Sequence, residues 1–230
     1  MHEPSGHNLS NGGRRLSLLV AFGAVLLTAW HGAPLRADDA SEREYKVKAA
    51  FVYNFLKFVV GGRFGPMDDK AGSKADPNGI ILVGVLGRVP SPESFTELQG
   101  KPVKDKRVRV RLFRGFEDLK DAEQEAPKRH PQMEEIHKCH VLFLCSSEKP
   151  FLGRILPLLQ NDGMLLVGDT PGFLEAGGII NLVIEEKKVR LEINKAAAGR
   201  AKLQIRSSLL RLAIRTIEHD QLEKQNDGEE

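Results

Sequence analysis

The chain has little with which to staple or bridge a core: two cysteines, one tryptophan and two tyrosines in 230 residues, with aromatics at 6%. So few cysteines exclude a disulfide-dense scaffold, and the core has to come from aliphatic packing. No apolar run reaches the roughly twenty residues that a membrane-crossing helix needs. Charge of one sign is also lacking, with 34 basic against 31 acidic residues. That balance excludes a polyanion as the main partner, so no nucleic-acid binding is expected. Chemistry-bearing motifs are scarce as well. Asp169, Glu175, Glu185 and Glu192 supply no paired-carboxylate motif of legible geometry, and no Gly-x-Ser-x-Gly elbow surrounds a serine, so no catalytic residue, no cofactor and no enzymatic activity is expected.

What is present begins with an address. Arg14 and Arg15 precede an uncharged stretch from Leu16 to Trp30, and small residues lead to a cut near Ala37. Those are the parts of a cleavable export signal, and its apolar run is short for an uncleaved anchor. Secretory and twin-arginine export both remain open. Residues 1–37 are thus expected to be removed and the mature domain, 38–219, to work in the periplasm, with 220–230 a disordered tail.

Ser41 to Glu44 has the form of a capping box, and Tyr45, Ala49, Val52, Leu56 and Val59 recur at helical spacing, with Lys46, Lys48 and Lys57 elsewhere on the wheel. This predicts a first helix of about five turns, stopped by Gly61 and Gly62 and followed by a loop over 62–79. Ile80 to Leu86 reads as a strand covered on both faces. Ser91-Pro92-Glu93 starts a short helix through Leu98. From Arg107 to Phe113, Val108, Val110 and Leu112 alternate with Arg107, Arg109 and Arg111, which predicts a strand with one wet side. Residues 117–138 read as a charged surface insertion containing a helix.

Val141 to Cys145 and Met164 to Val167 are buried strands around a helix over 149–161, with Ser146 and Ser147 placed as its N-cap. Ile179 to Ile184 and Val189 to Ile193 form an antiparallel hairpin, and a final helix runs from Ser207 to about Glu218. The expected fold is therefore α/β: a single layered domain with a mixed sheet, parallel core strands plus a C-terminal antiparallel hairpin, flanked by helices. Six residues of strand between Cys139 and Cys145 hold their Cα atoms about 20 Å apart. A bridge needs less than about 7 Å, so two buried free thiols are expected.

Each chemical motif has a plainer alternative. Gly84-Val-Leu-Gly87 lacks the third glycine and the acid of a dinucleotide fingerprint, and reads as strand packing with a tight exit turn. His137, Cys139, His140 and Cys145 have poor spacing for a metal, so none is expected. The arginine row suits a solvated strand face better than an anion site.

Seven ordered blocks carry a resemblance. Residues 44–58 (Glu44-Tyr-Lys-Val-Lys-Ala-Ala-Phe), 83–87, 139–143, Asp169-Thr-Pro-Gly-Phe173, 177–182, 189–194 and 207–213 resemble the YfiR family of periplasmic regulators. The resemblance implies a non-catalytic domain that binds and represses the periplasmic sensor region of an inner-membrane signalling protein. In well-known members that partner is a diguanylate cyclase, linking the protein to cyclic di-GMP and biofilm; a histidine kinase partner and a homodimer stay open, and contact with the membrane runs only through the partner. Candidate partner-binding residues are Tyr53, Lys57, Asp169, Pro171, Phe173 and Glu175, with plain core packing the stronger alternative for Tyr53 and Phe173. The Trp-Pro that family members often carry after the first helix is absent, and the disulfides of some relatives cannot be carried over. Two other classes compete: a small-molecule receptor feeding a transporter or sensor kinase, and an exported hydrolase using Ser146 or Asp169.

Overall fold

Helical periodicity from Tyr45 onward is realised in the first described element, seen in a computed structural model that describes residues 37–65, 79–120 and 128–218. The expected export signal apart from Ala37, most of the expected 62–79 loop, part of the expected 117–138 insertion and the expected C-terminal tail lie outside the described residues. Helix α1, Ala37–Phe58, starts four residues ahead of the expected capping box. Ala37, Asp38, Asp39 and Ala40 combine strong helix formers with acids favoured at an N-terminus, so Ser41 falls inside the helix. Glu42 and Glu44 pair forward with Lys46 and Lys48 at 2.6 and 2.5 Å instead of capping.

The helix also ends earlier than expected. Val59, Val60 and Gly61 form strand β1 (Val59–Gly61), because two β-branched residues meet a partner strand that local periodicity cannot reveal. That partner is β9, Leu203–Ile205, paired antiparallel in a separate two-stranded sheet.

The main sheet starts at β2, Ile80–Leu86, whose Val83, Val85 and Leu86 are fully buried. A single turn, α2 (Glu93–Thr96), follows; Ser91 does not cap it, because its hydroxyl bonds the Glu93 carboxylate at 3.2 Å. Strand β3 (Pro102–Val103) folds back on β4 (Lys106–Phe113). The alternation in β4 is as expected for three arginines outward, but Leu112 is exposed and Phe113 buried at its end. The stretch over 117–138 is only partly surface: His130, Met133 and Ile136 are buried, the last two on α3, Met133–Ile136. His130 accepts the Gln132 N–H at Nδ1, so its Nε2–H donates to the Arg114 carbonyl at 2.9 Å, with Phe113 and Phe116 edge-on to the ring.

Strand β5 (Val141–Leu144) is buried throughout. The segment behind it starts as a 3₁₀ turn over Ser146–Phe151, and only Leu152–Leu159 is α-helix, α4, with Pro157 inside. Neither Ser146 nor Ser147 caps it by a side-chain bond. Strands β6 (Leu165–Gly168), β7 (Ile180–Glu185) and β8 (Lys188–Asn194) follow, the last two as the expected antiparallel hairpin. Helix α5, Lys195–Arg200, was not anticipated; Asn194 Oδ1 caps it by accepting the Ala197 N–H at 2.9 Å.

The expected C-terminal helix is replaced. Only Ser207–Leu210 is helical (α6), and Ala213–Ile217 is strand β10, parallel to β8 with a register shift between Ala213 and Arg215. Leu210, Ile214 and Ile217 fit a helical stripe, but Ile214, Thr216 and Ile217 are β-branched and β8 offers a free edge. Strand order is β10-β8-β7-β6-β5-β2-β4-β3, parallel from β7 through β4 with antiparallel β7–β8 and β4–β3 pairs. This is the mixed sheet expected.

Cys139 and Cys145 are free and buried. Burial pushes the Cys139 thiol up to about 12 and the Cys145 thiol well above its ordinary value. Both acids hold their protons more tightly when native, so their contribution is complete below the unfolded thiol value near 8.5 and is lost as pH rises toward about 12. The urea midpoint of unfolding should therefore fall between pH about 8 and about 10, by up to about 1.4 kcal/mol per pH unit for each thiol. A Cys139→Ala/Cys145→Ala variant should flatten that slope, and an unchanged slope would contradict the burial argument.

Candidate functional site

Lys48 lies on the same stripe of α1 as Tyr45, Val52 and Leu56, so the helix carries an ammonium inward with its core face. Its side chain is 4% exposed and reaches Asp169 Oδ2, 1% exposed, at 2.6 Å. The Tyr45 hydroxyl donates to the same oxygen at 2.9 Å, and the ammonium sits 4.4 Å from the Tyr45 ring centroid. Glu44, on the rim, supplies the second carboxylate to Lys48. The sequence pattern set Lys48 apart from the apolar stripe, elsewhere on the wheel; its burial against Asp169 corrects that.

Asp169 directly follows β6, and a line of polar contacts leads on from it. The Thr170 N–H donates to Asn181 Oδ1 at 3.0 Å, and Asn181 Nδ2 donates to Glu192 Oε2 at 3.1 Å. Glu192 pairs with Arg215 at 2.7 Å, and Arg215 reaches Glu175 at 2.7 Å. Core and surface are thereby joined from α1 to the exposed Glu175. The two carboxylates push the Arg215 guanidinium up; burial is the largest single influence on Glu175 and would raise it, but the hydrogen bond from Arg215, a backbone hydrogen bond and the Arg215 charge together hold that carboxyl below its ordinary value. Two atoms on this line, Asp169 Oδ1 and Thr170 Oγ1, are buried without a hydrogen-bond partner.

The loop from Asp169 to Gly178 is built around Phe173, which is fully buried. A Cβ on Gly168 would lie 2.6 Å from the ring and one on Gly178 only 2.1 Å, so both glycines are needed for the ring to seat. Asn194 Nδ2 donates to the Leu174 carbonyl at 3.1 Å and ties the loop to β8. Pro171, Gly172 and Glu175 are left on the surface.

In an open α/β sheet the usual ligand crevice lies where strand order reverses, here at the carboxyl ends of β2 and β5. Glu148 fills it. Its carboxylate, fully buried, accepts the Phe116 N–H at 3.0 Å and the Ser147 hydroxyl at 2.9 Å. Gly87, at φ 110, closes on it so tightly that a Cβ would lie 2.8 Å from Oε1. Gly87 thus makes room for the protein's own carboxylate, while Gly84 admits the close packing of Cys139, Leu142 and Phe113. Ser147, expected as a cap, faces this nest and accepts the Arg88 N–H at 3.0 Å.

The hydrolase alternative needs a base at Ser146. Tyr45 is hydrogen-bonded to both Ser146 and Asp169, but burial, with the Asp169 charge adding, pushes its phenol far upward and keeps it protonated. A protonated phenol cannot take the serine proton. His137 Nδ1 lies 2.6 Å from Asp162 Oδ2, and His140 Nδ1 accepts the Leu82 N–H at 3.1 Å, so both imidazoles are engaged elsewhere. Among the described residues no group of three or more His, Cys, Asp or Glu is placed to hold a metal.

The six candidate residues do not form one patch. Asp169, Pro171, Phe173 and Glu175 share the loop, but Asp169 and Phe173 point inward and cannot touch a partner in this conformation. Tyr53 and Lys57 lie farther along α1, where the Tyr53 hydroxyl donates to the Pro102 carbonyl at 2.6 Å and the Lys57 ammonium sits 4.5 Å from its ring centroid. Lys48 and Arg215 were missed. For Lys48 the signal was available, since it falls at i+3 from Tyr45 and i−4 from Val52, inside the apolar stripe.

The arrangement defines an α/β domain whose ligand crevice is closed by its own side chains. The chain belongs to the YfiR/HmsC-like family, whose model matches residues 45–214. In general terms membership supports a periplasmic regulator in cyclic di-GMP signalling that interacts with a membrane sensor protein, and the family is regulatory rather than catalytic. Among the described residues no helix is long and apolar enough to cross a membrane. No curated protein matches the chain. Among solved structures it is similar to a conserved domain protein from Vibrio cholerae O1 biovar El Tor, at 13% identity and TM-score 0.47, over 75% of this chain and 60% of that one. It is also similar to an ABC domain in complex with L-Trp from Streptococcus pneumonia, at 13% identity and TM-score 0.45, over 60% and 55%.

Proposed function

We propose that the exported domain, residues 38–219, represses an inner-membrane signalling protein by binding its periplasmic sensor region, and that this partner is a diguanylate cyclase whose restraint limits cyclic di-GMP and biofilm. The observation that carries this reading is the coupling of α1 to the Asp169–Gly178 loop through Lys48 and Asp169. A regulator that acts by contact needs a preset surface, and a buried ion pair fixes one. Pro171 and Glu175 on the loop, with Tyr53 and Lys57 on the helix, are the contacts that remain accessible. Phe173 and Asp169 support them from below.

Affinity capture with the tagged mature protein from solubilised membranes tests the proposal. Recovery of an inner-membrane protein with a periplasmic sensor region and a cyclase output is expected, weakened by Glu175→Arg and Pro171→Arg. Recovery of no inner-membrane sensor would sink it. Mass measurement of the periplasmic protein should give an N-terminus near Ala37; an intact chain starting at Met1 would overturn the export assignment.

A further inference from the structure

Strand β4 projects Arg107, Arg109 and Arg111 from the face opposite Val108 and Val110, and all three are exposed. Alternate residues of a strand stand about 6.7 Å apart, so the three guanidiniums form an evenly spaced row. Around them the charge is one-sided. From Lys101 to Arg111 the chain has Lys101, Lys104, Lys106 and the three arginines against a single acid, Asp105. The stretch from Lys101 to Arg111 thus carries a net charge of +5 over eleven residues, a locally positive surface.

One position of the row is already occupied. Glu135, from α3, is paired with Arg111 and is also held by Lys138 at 2.6 Å. Among the described residues no carboxylate pairs with Arg107 or Arg109; Arg107 reaches only the Gly100 carbonyl, at 3.2 Å. Beside them, on the same side of the sheet by register, lie the half-buried Ile80 and Leu82 of β2.

We propose that Arg107 and Arg109 continue the row begun by the Arg111–Glu135 pair as a docking rail for an extended acidic segment of a protein partner. Carboxylates at alternate positions of an extended chain repeat at the same spacing as the arginines, and each can be taken in the fork geometry that guanidinium favours. The apolar shoulder of Ile80 and Leu82 receives a side chain of the same segment. A lipid surface is the poorer fit, because a single straight row with an apolar flank presents no broad basic plane to headgroups. The inference deepens the regulator reading and rests on it for the source of the segment.

A fluorescent peptide alternating glutamate and valine, titrated against the mature chain by anisotropy at low ionic strength, tests the rail. Binding should be seen, weaken as salt rises, and fall by at least about tenfold in Arg107→Gln/Arg109→Gln. Arg109→Lys, which keeps the charge and loses the fork, should lie between the two. Lys187→Gln/Lys188→Gln, at the far hairpin, should bind like wild type, and all variants should unfold at the wild-type midpoint. No binding, equal binding by the double arginine variant, or stronger arginine-dependent binding to vesicles of anionic phospholipid would each overturn the proposal. The two readings fail separately. Undiminished sensor capture by the arginine variant removes the rail alone, and peptide binding without any captured sensor removes the regulator reading alone.

Discussion

Replacing Asp169 with alanine is expected to destabilise the domain by about 3–5 kcal/mol, measured by urea unfolding followed by circular dichroism. The ion pair it breaks is buried on both sides, and Lys48 would keep only Glu44, on the rim, as partner. The Tyr45 hydroxyl would lose its acceptor as well. Against a total stability of about 5–15 kcal/mol, this is a fifth or more of what holds the fold. The loss would come from stranding a charge rather than from the worth of the pair. A Lys48→Met/Asp169→Leu double variant, which removes both charges and keeps their volume, should therefore recover much of the stability. If Asp169→Ala costs less than about 1 kcal/mol, α1 is not anchored to the loop in this way. The double variant also separates fold from function: a stable protein that no longer captures its sensor would show that the pair presets the contact surface.

Phe173→Ala should cost about 3–5 kcal/mol, the usual range for deleting a buried ring that the surroundings cannot fill. The ring is wedged between the backbones at Gly168 and Gly178, and neither glycine has a side chain to follow it into the gap. Thermal unfolding monitored by circular dichroism gives the readout. The reciprocal change, Gly178→Ala, puts a methyl where ring carbon already stands and should destabilise too, with Phe173→Leu in the same chain giving partial relief. Wild-type stability in Phe173→Ala would mean that the ring is not the pivot of the loop. The expectation bears on the candidate residues, because lost partner binding in this variant would report a collapsed loop rather than a missing contact.

Much of the sheet was legible because buried parallel strands advertise themselves as short apolar runs. Ile80 to Leu86, Val141 to Leu144 and the two arms of the Ile180 hairpin needed no tertiary information. The failures share one cause, which is distance along the chain. Val59 and Val60 leave the helix because of residues near position 204, and Ala213 to Ile217 become a strand because β8 is there to receive them. Leu210, Ile214 and Ile217 satisfied the helical period too, so periodicity alone could not decide. The site was half legible. The Asp169 to Phe173 stretch stood out as a turn, but its binding partner Lys48 lies 121 residues away. Glu148 drew no notice, as no local pattern shows that a carboxylate following a strand will turn back into a nest of glycine and backbone N–H.

The small β1–β9 sheet bears on the order in which the domain is made. It fastens the end of the first helix to residues 203–205, so two segments from nearly opposite ends of the domain complete each other. Contacts of such long sequence separation form late, since the loop between them has to be closed before they contribute. The first helix therefore cannot finish docking until almost all of the domain has emerged, and a chain still being threaded through a membrane stays open and threadable. Under the proposed export, the closure of the fold is itself timed by the arrival of the last stretch of the domain, residues 203–205.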